Sequence, residues 1–198
     1  MGLTPHREEA RARAPPEVRI IAGEWRGRKL QAPQGDATRP TADRTRETLF
    51  SMLLSRLGSF EGLGVADLFA GSGALGLEAL SRGAASCLFV EQDATALRAL
   101  RANIAALRAH ARCDVRASSV LALGPAKAPL DLLLLDPPYA SGAGAVALDK
   151  LARLGWVGPA SWVSLETAHD EAVAVKGYAV HAERKVGKAK LTLLRLAG

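Results

Sequence analysis

The sequence predicts a doubly wound α/β fold, in which helices cover both faces of a mostly parallel sheet. From residue 63 onward, short apolar runs alternate with longer helical patterns. The run from Leu130 to Leu135 is almost purely apolar, as a parallel strand that is buried on both faces requires. Near the end of the chain, two strand-like runs flank Gly187, which predicts a closing antiparallel hairpin.

The elements of this fold follow in chain order from their apolar periodicity. Ahead of the sheet, residues 18–22 and 28–30 suit a small hairpin. Leucines at four-residue spacing predict a helix over residues 42–56, with Thr41 as its N-cap. The predicted strands of the sheet are 65–69, 87–90, 115–117, 130–135, 162–165, 178–184 and 190–196, and the predicted helices between them are 74–81, 94–110 and 145–154.

The composition is that of a globular protein with a basic surplus. The chain has 198 residues, of which 48% are hydrophobic, and this fits one domain with a small extension. A net charge of +6 suits a polyanionic partner, although many basic proteins bind none. Cys87 and Cys113 are far apart in sequence and the histidines do not cluster, so we expect no metal. Without an apolar span or a signal-peptide core, we expect a cytoplasmic protein with no membrane partner.

A glycine-rich loop, Asp67-Leu-Phe-Ala-Gly71-Ser72-Gly73-Ala-Leu-Gly76, follows the first strand and opens a helix. Glycines let the backbone turn sharply beside a ligand, and the helix N-terminus adds aligned amides. Glu91, twenty positions beyond Gly71, can accept both hydroxyls of a ribose. Asp67 would repel a pyrophosphate but can bind the ammonium of an amino acid. The pattern therefore favours a nucleoside cofactor with an amino-acid group over a dinucleotide, with a tight turn that binds nothing as the alternative.

The tetrapeptide Asp136-Pro137-Pro138-Tyr139 directly follows the most apolar strand. Ligands of open α/β sheets bind at the carboxyl ends of the strands, so the tetrapeptide should share a crevice with the glycine loop. The Asp136 carboxylate and a backbone carbonyl can hold both N–H bonds of a base amine. This directs the nitrogen lone pair at a sulfonium methyl group and stabilises the growing positive charge. Tyr139 can stack on a flipped base. A merely rigid turn is the alternative.

Together these motifs resemble the class I S-adenosylmethionine-dependent methyltransferases. More closely, the chain resembles the bacterial 16S rRNA guanine-N2 methyltransferase family, which acts on the small ribosomal subunit. The resemblance is carried by residues 19–30, 39–50, 67–80 and 136–139. It implies a Rossmann-like sheet of seven strands, S-adenosylmethionine as cofactor, and the N2 amine of a specific guanine in 16S rRNA, met in the 30S subunit or an assembly intermediate. One departure is Ser118-Ser119, where an Asp or Asn is expected to read the adenine amine of the cofactor.

The composition divides the chain into a tail, an extension and a domain, and the motifs and the resemblance assign the site residues. Residues 1–17 are expected to be a disordered tail, residues 18–60 an extension that contacts RNA or caps the cofactor, and residues 61–198 the methyltransferase domain. We see no heptad or other dimer signature and expect a monomer. The predicted catalytic residues are Asp136, Pro137, Pro138 and Tyr139, and the predicted cofactor-binding residues are Arg39, Thr41, Asp67, Phe69, Gly71, Ser72, Gly73, Glu91, Gln92 and Ser119.

The basic surplus lies in the two flanks of the predicted sheet. Residues 19–46 hold seven Lys or Arg against three acids, and the last eighteen residues hold five against one. Trp25 among basic neighbours would give RNA an aromatic face, with a solvated edge hairpin as the alternative. A helix-start role is an equal alternative for Arg44. The predicted RNA-binding residues are Trp25, Arg26, Arg28, Lys29, Arg44, Lys185, Lys188 and Lys190.

Other functions remain open at this stage, because the tetrapeptide cannot choose guanine over adenine or cytosine. A DNA adenine-N6 or cytosine-N4 methyltransferase uses a similar motif, although the chain has no evident DNA-recognition domain. A noncatalytic RNA-binding ribosome assembly factor would share the fold, but the intact Asp136 and glycine loop argue against it. A small-molecule methyltransferase is disfavoured by the basic flanks.

Overall fold

A seven-stranded sheet with helices on both faces forms the body of the molecule. The computed structural model describes residues 18–32 and 40–198, and the side chains of residues 18–32 and 43–198. Its elements are β1 (Val18–Arg19), β2 (Lys29–Leu30), α1 (Pro40–Leu57), β3 (Gly64–Leu68), α2 (Ala74–Ser81), β4 (Ser86–Glu91), α3 (Ala94–Ala106), β5 (Cys113–Ala117), β6 (Leu130–Leu135), α4 (Ala143–Arg153), β7 (Val157–Ala168), β8 (Tyr178–Val186) and β9 (Ala189–Leu196).

The strands of the sheet are arranged in the order β5-β4-β3-β6-β7-β9-β8. The first five are parallel, whereas β9 runs antiparallel to both β7 and β8. From β3 the chain winds outward to β5, and it then returns to β6 on the other side of β3. Such a reversal of direction opens a crevice at the carboxyl ends of the strands. The predicted doubly wound sheet with a C-terminal antiparallel hairpin is confirmed.

Two hydrophobic cores lie on opposite faces of the sheet, and β6 contributes to both. Leu132 and Leu134 pack into the core that also receives α1, α2 and α3. Leu133 and Leu135 pack into the other core, against α4. All four side chains are at most 1% exposed. The unbroken apolar run in the sequence therefore reflects burial on both faces.

The small hairpin β1–β2 is attached to the body through the buried carboxylate of Glu78 on α2. The backbone amides of Ile21 and Ala22 donate to this carboxylate at 2.7 and 3.0 Å. Arg82 pairs with it at 2.7 Å, and Arg46 of α1 lies 3.9 Å from it. Glu78 is fully buried and the side chain of Arg46 is 5% exposed. One carboxylate thus joins the hairpin, α1 and α2.

The turn after β1 packs closely against the end of α2, and this buries Trp25. A Cβ atom at Gly23 would lie 1.8 Å from the carbonyl oxygen of Ser81, so a side chain cannot be accommodated there. The amide of Trp25 donates to the Ser81 hydroxyl at 3.0 Å. The indole is 6% exposed, and the Arg112 guanidinium lies 4.7 Å from its ring centroid. The prediction that Trp25 offers an aromatic face to RNA is wrong, because this ring is already covered.

Several element boundaries differ from those predicted. The first helix begins at Pro40, which places Thr41 inside the first turn instead of at the N-cap. The third helix ends at Ala106, because Arg108 adopts a left-handed conformation with φ of +54°, and a short 3-10 turn follows. The predicted tail, residues 1–17, and Arg39 lie outside the described residues. Within the described ranges, no helix combines the length and apolar character needed to cross a bilayer.

Candidate active site

A cavity of about 560 Å³ opens at the carboxyl ends of β3, β4, β5, β6 and β7, and we call it the main cavity. It lies at the position where the direction of winding reverses between β3 and β6. All four residues of the predicted catalytic tetrapeptide line it. Predicted cofactor-binding residues that share this wall are Phe69, Glu91, Gln92 and Ser119.

The glycine loop approaches the main cavity through a strained turn. Phe69 has a φ of +68°, which is uncommon for a bulky residue, and Gly71 has a φ of +55°. A Cβ atom at Gly71 would meet nothing within 4 Å, so the loop backbone faces open space there. Gly73 follows as the N-cap of α2. Strained backbone of this kind is typical of ligand-binding loops.

Glu91 at the end of β4 is held in place by three backbone amides. One carboxylate oxygen accepts from Gly71 at 2.8 Å, and the other accepts from Gln92 and Asp93 at 2.7 Å each. An ionised carboxylate offers about four lone-pair sites. Three of these sites are therefore used within the protein. A ribose with two hydroxyl groups would find one site open, and its second hydroxyl must share or replace an amide. The assignment of Glu91 to the ribose hydroxyls stays a prediction.

Asp67 lies beneath the glycine loop and is 1% exposed. Its carboxylate accepts a hydrogen bond from the amide of Gly76 at 2.8 Å, which fastens the first turn of α2 to β3. The pKa of Asp67 is raised to about 7, mainly by burial; the Gly76 hydrogen bond lowers it, and the nearby charge of Glu91 raises it. Contact between Asp67 and a cofactor ammonium stays a prediction.

Asn103 on α3 supports the glycine loop from behind, and we did not predict this from the sequence. Its side-chain amide donates to the carbonyl oxygens of Ser72 and Gln31, at 2.9 and 3.0 Å. Its side-chain oxygen accepts from the amide of Gln31 at 2.7 Å. The side chain is 1% exposed, on the helix face that also carries Leu100 and Ile104. A polar residue in this otherwise apolar stripe was the signal in the sequence.

The predicted catalytic tetrapeptide forms a turn in which one residue is buried and three are exposed. Pro137 is buried, whereas Asp136 and Pro138 are exposed and Tyr139 is 47% exposed. Ala140 continues the turn with a φ of +56°. The Tyr139 hydroxyl donates to a carboxylate oxygen of Glu166 at 2.6 Å. Asp136 and the tyrosine ring are thereby placed in the wall of the main cavity.

Glu166 is the second residue of this site that sequence reasoning missed. Leu135 of β6 pairs with Leu165 of β7, so Asp136 and Glu166 occupy the next positions on neighbouring parallel strands. Burial raises the pKa of the Glu166 carboxyl, and the hydrogen bond from Tyr139 lowers it. The predicted strand over residues 162–165 ends directly before Glu166. Applying the carboxyl-end rule to that strand would have identified the residue.

The contacts of the remaining predicted cofactor-binding residues do not test their assignment to the cofactor. The Ser119 hydroxyl accepts from the amide of Leu121 at 3.2 Å and so caps a short 3-10 turn. Gln92 is exposed at the cavity wall. Ser72 contacts Asn103 through its carbonyl oxygen. Arg39 and the side chain of Thr41 lie outside the described residues, so both assignments stay predictions.

The predicted RNA-binding residues fall into exposed and buried groups. Arg28 donates to the carbonyl oxygen of Ala106 at 2.7 Å while its side chain stays exposed. Lys190 is 7% exposed and lies 3.5 Å from Glu183, so its assignment to RNA is wrong. The cause is that β9 lies inside the sheet, between β7 and β8. The residues of this set that are exposed are Arg26, Arg28, Lys29, Arg44, Lys185 and Lys188.

Comparison with known proteins identifies the family. A family model described as conserved hypothetical protein 95 matches residues 18–195. The chain belongs to this family. One relative is the ribosomal RNA small subunit methyltransferase D of Escherichia coli strain K12, with 35% identity over 87% of this chain and 86% of the relative. The protein of that name from Haemophilus influenzae is 40% identical over 78% of this chain and 81% of the relative.

Solved structures of similar proteins have the same fold. A chain from Escherichia coli, provisionally described as methyltransferase yhhF, superposes with a TM-score of 0.79 and 34% identity. That match covers 92% of this chain and 99% of the solved one. A hypothetical protein from Thermus thermophilus gives a TM-score of 0.72 at 29% identity, over 90% and 99% of the two chains. The predicted Rossmann-like methyltransferase fold is confirmed for this family member.

Proposed function

We propose that this chain is an S-adenosylmethionine-dependent methyltransferase that acts on the N2 amine of a guanine in 16S rRNA. The observation that carries the proposal is that Asp136 and Tyr139 share the main cavity with Phe69 and Glu91. A base amine and a nucleoside cofactor could therefore meet in one space. The names of the Escherichia coli and Haemophilus influenzae relatives support small-subunit rRNA as the substrate.

The residues around the main cavity fit S-adenosylmethionine. When bound, this cofactor supplies a methyl group that is activated by a positively charged sulfur. Glu91 offers carboxylate oxygens to a ribose, Phe69 offers apolar surface to an adenine, and Ser119 offers a hydroxyl. The open space in front of Gly71 leaves room for a ligand against the loop backbone. Arg39 and Thr41 would close the amino-acid end in this proposal.

The protein's part in the reaction is mainly to position the amine. An exocyclic amine is a weak nucleophile because its lone pair is delocalised into the ring. The Asp136 carboxylate would accept one N–H bond and a backbone carbonyl the other, which directs the lone pair at the methyl group. Pro137 and Pro138 have no amide hydrogens that would compete for these acceptors. After transfer, Asp136 takes up the proton that the amine releases.

RNA would be bound by exposed cations on the two flanks of the sheet. Arg26, Arg28 and Lys29 are exposed on the N-terminal extension, and Lys185 and Lys188 on the C-terminal hairpin. Phosphate groups are the partners that such cations favour. In this proposal residues 18–60 are the RNA-contacting extension, residues 61–198 the methyltransferase domain, and the working form is a cytoplasmic monomer acting on the 30S subunit or an assembly intermediate.

A transfer assay with labelled S-adenosylmethionine tests the function. The acceptors are 30S subunits that lack the modification, free 16S rRNA, and DNA, and each product is digested to nucleosides. We expect N2-methylguanosine from 30S subunits. Methylated adenine or cytosine in DNA would instead establish the DNA methyltransferase. Binding of the 30S subunit without any transfer would establish the noncatalytic assembly factor.

The variant Asp136→Ala tests the catalytic assignment in the same assay. We expect it to bind S-adenosylhomocysteine as the wild type does and to lose transfer, because the amine is no longer held. Asp149→Ala is the matched control, because Asp149 lies exposed on α4 in an ion pair with Arg153. Transfer by Asp136→Ala at the rate of the control would remove Asp136 from the mechanism.

A further inference from the structure

Two carboxylates from neighbouring strands, Asp136 and Glu166, line the main cavity. Each directly follows a leucine of the paired positions Leu135 and Leu165, and these leucines are 1% and 3% exposed. Neighbouring parallel strands lie about 4.8 Å apart. The register therefore sets two hydrogen-bond acceptors side by side at the end of the sheet, on a rigid, buried base.

Glu166 is oriented by Tyr139, which is the residue expected to stack on the target base. The tyrosine hydroxyl donates to one carboxylate oxygen at 2.6 Å. A carboxylate has two oxygens, and the second can accept a further hydrogen bond from a ligand in the cavity. A base lying against the Tyr139 ring would thus have its edge near this carboxylate.

The edges of the candidate bases differ at the atom next to the reactive amine. In guanine the N2 amine is beside N1–H, so both positions are donors. In adenine the N6 amine is beside the acceptor N1, and in cytosine the N4 amine is beside the acceptor N3. A carboxylate that faces a ring acceptor is repelled, and it leaves a buried polar group unpaired. Two adjacent carboxylate acceptors therefore match guanine alone among these three bases.

We propose that Glu166 selects guanine by accepting a hydrogen bond from N1–H while Asp136 holds the N2 amine. This inference rests on the proposed function and extends it, because the Asp-Pro-Pro-Tyr motif alone is compatible with all three base amines. Glu166 thus acts directly on the base, in addition to fixing the tyrosine that stacks on it.

The first test is Glu166→Gln, assayed with the RNA acceptor that gives N2-methylguanosine with the wild type. In this variant the amide has one acceptor oxygen, and if the Tyr139 hydroxyl donates to it, the NH2 group opposes guanine N1–H. If the amide flips, its oxygen faces N1–H, but the charge-assisted hydrogen bond of a carboxylate is lost in this orientation as well. We expect kcat/KM for guanine methylation to fall about tenfold or more. The Kd for S-adenosylhomocysteine should stay at the wild-type value, which also verifies the fold. Asp149→Asn, the same kind of change on the exposed face of α4, should leave both values unchanged.

Two further variants separate direct recognition from positioning. Tyr139→Phe keeps the Glu166 carboxylate and the aromatic ring but removes the hydrogen bond from the tyrosine hydroxyl. The fall in kcat/KM for this variant should therefore be much smaller than for Glu166→Gln. Glu166→Ala removes the acceptor without adding an opposed donor, and its loss should lie between the two. Equal losses in Tyr139→Phe and Glu166→Gln would show that Glu166 acts only through Tyr139, and would overturn the inference.

The methylated nucleosides provide an independent readout. We expect Glu166→Gln to raise the share of methylated adenosine or cytidine relative to N2-methylguanosine, because its amide can donate to a ring nitrogen. A wild-type protein that makes N2-methylguanosine together with a Glu166→Gln variant of unchanged kcat/KM would overturn this inference alone. A wild-type protein that makes no N2-methylguanosine would overturn the proposed function and the inference together.

Discussion

The side-chain amide of Asn103 donates a hydrogen bond to the carbonyl oxygen of Ser72, at 2.9 Å. The same side chain forms two hydrogen bonds with the backbone of Gln31, just beyond β2. A single buried residue of α3 therefore connects the glycine loop to the N-terminal extension. The shape of the proposed cofactor site depends on this connection as well as on the loop itself.

Replacing Asn103 by Leu should weaken cofactor binding. The substitution keeps the approximate volume but leaves the Ser72 carbonyl and the Gln31 backbone without their partner, which costs about 1–3 kcal/mol for each buried group. We expect the Kd for S-adenosylhomocysteine, measured by calorimetry, to rise at least tenfold. Hydrogen exchange at Gln31 should also accelerate. Arg101→Gln, on the exposed face of α3, is the control. An Asn103→Leu Kd equal to that of the control would contradict the prediction.

The carboxylate of Glu78 should contribute strongly to stability. It is fully buried, pairs with Arg82, lies near Arg46, and accepts two backbone hydrogen bonds. Removing one partner of such a buried cluster leaves uncompensated charge, so Glu78→Gln should lower the free energy of unfolding by about 3–5 kcal/mol. Denaturant unfolding measures this value. The exposed pair of Asp149 with Arg153 provides the comparison, because Asp149→Asn should cost less than about 1 kcal/mol. Similar losses of unfolding free energy in the two variants would contradict the prediction that the Glu78 carboxylate contributes strongly to stability.

The buried Asp67 should make stability depend on pH. Its pKa is raised from an ordinary 3.8 to about 7 in the folded protein. As the pH rises through this interval the unfolded chain loses its proton first, so the contribution of Asp67 to stability is complete below pH 3.8 and is lost by about pH 7. In Asp67→Asn the amide oxygen can still accept from Gly76, without any titration.

The free energy of unfolding of both proteins, measured from about pH 5 to pH 8, checks this prediction. We expect the variant to gain stability relative to the wild type as the pH rises to about 7, and the difference to be constant above that value. Ionisable groups that do not interact with Asp67 are common to the two proteins and cancel in the difference. Parallel curves over the whole range would show that Asp67 is not protonated in the folded state.

Neutralising the basic end of the small hairpin should weaken RNA binding and leave cofactor binding intact. Arg26, Arg28 and Lys29 are exposed together. In the triple Gln variant, the slope of log affinity against log salt should fall by about 0.7 to 0.9 for each phosphate contact that is lost.

The control for this prediction is a triple Gln variant at Lys127, Arg153 and Lys176, which are exposed elsewhere and carry the same total charge. Binding is measured with the 30S subunit at several salt concentrations. If both triple variants bind with the same affinity and slope, the effect is one of net charge, and the hairpin is not the contact surface.

The predictions from the sequence were most accurate for the elements whose bounds depend on a local pattern of residues. Residues 74–81 and 130–135 have the boundaries that the structure shows, and for the strand 130–135 the reason is that burial on both faces requires a nearly continuous apolar run. The end of α3 depends instead on the left-handed Arg108, which apolar periodicity cannot indicate. The carboxyl ends of parallel strands converge, and this explains why the tetrapeptide, Phe69, Glu91, Gln92 and Ser119 line one cavity.

Where the sequence interpretation was wrong or incomplete, the burial or position of the residue depends on contacts between distant parts of the chain. Trp25 is covered by Arg112, which is far away in the chain. Lys190 is buried because β9 became an interior strand, although its composition resembles that of an edge. The position of Asp136 beside Glu166 depends on the register of β6 with β7, which is a property of the assembled sheet.

The contact of Gly23 with Ser81 has a consequence for engineering. The hairpin is attached through backbone atoms, a glycine and the buried Glu78, whereas Arg26 and Lys29 are exposed and take no part in these anchors. The charge of this tip can therefore be varied while the anchors Gly23, Ser81 and Glu78 are kept, so that its surface is engineered independently of the sheet that carries the cavity.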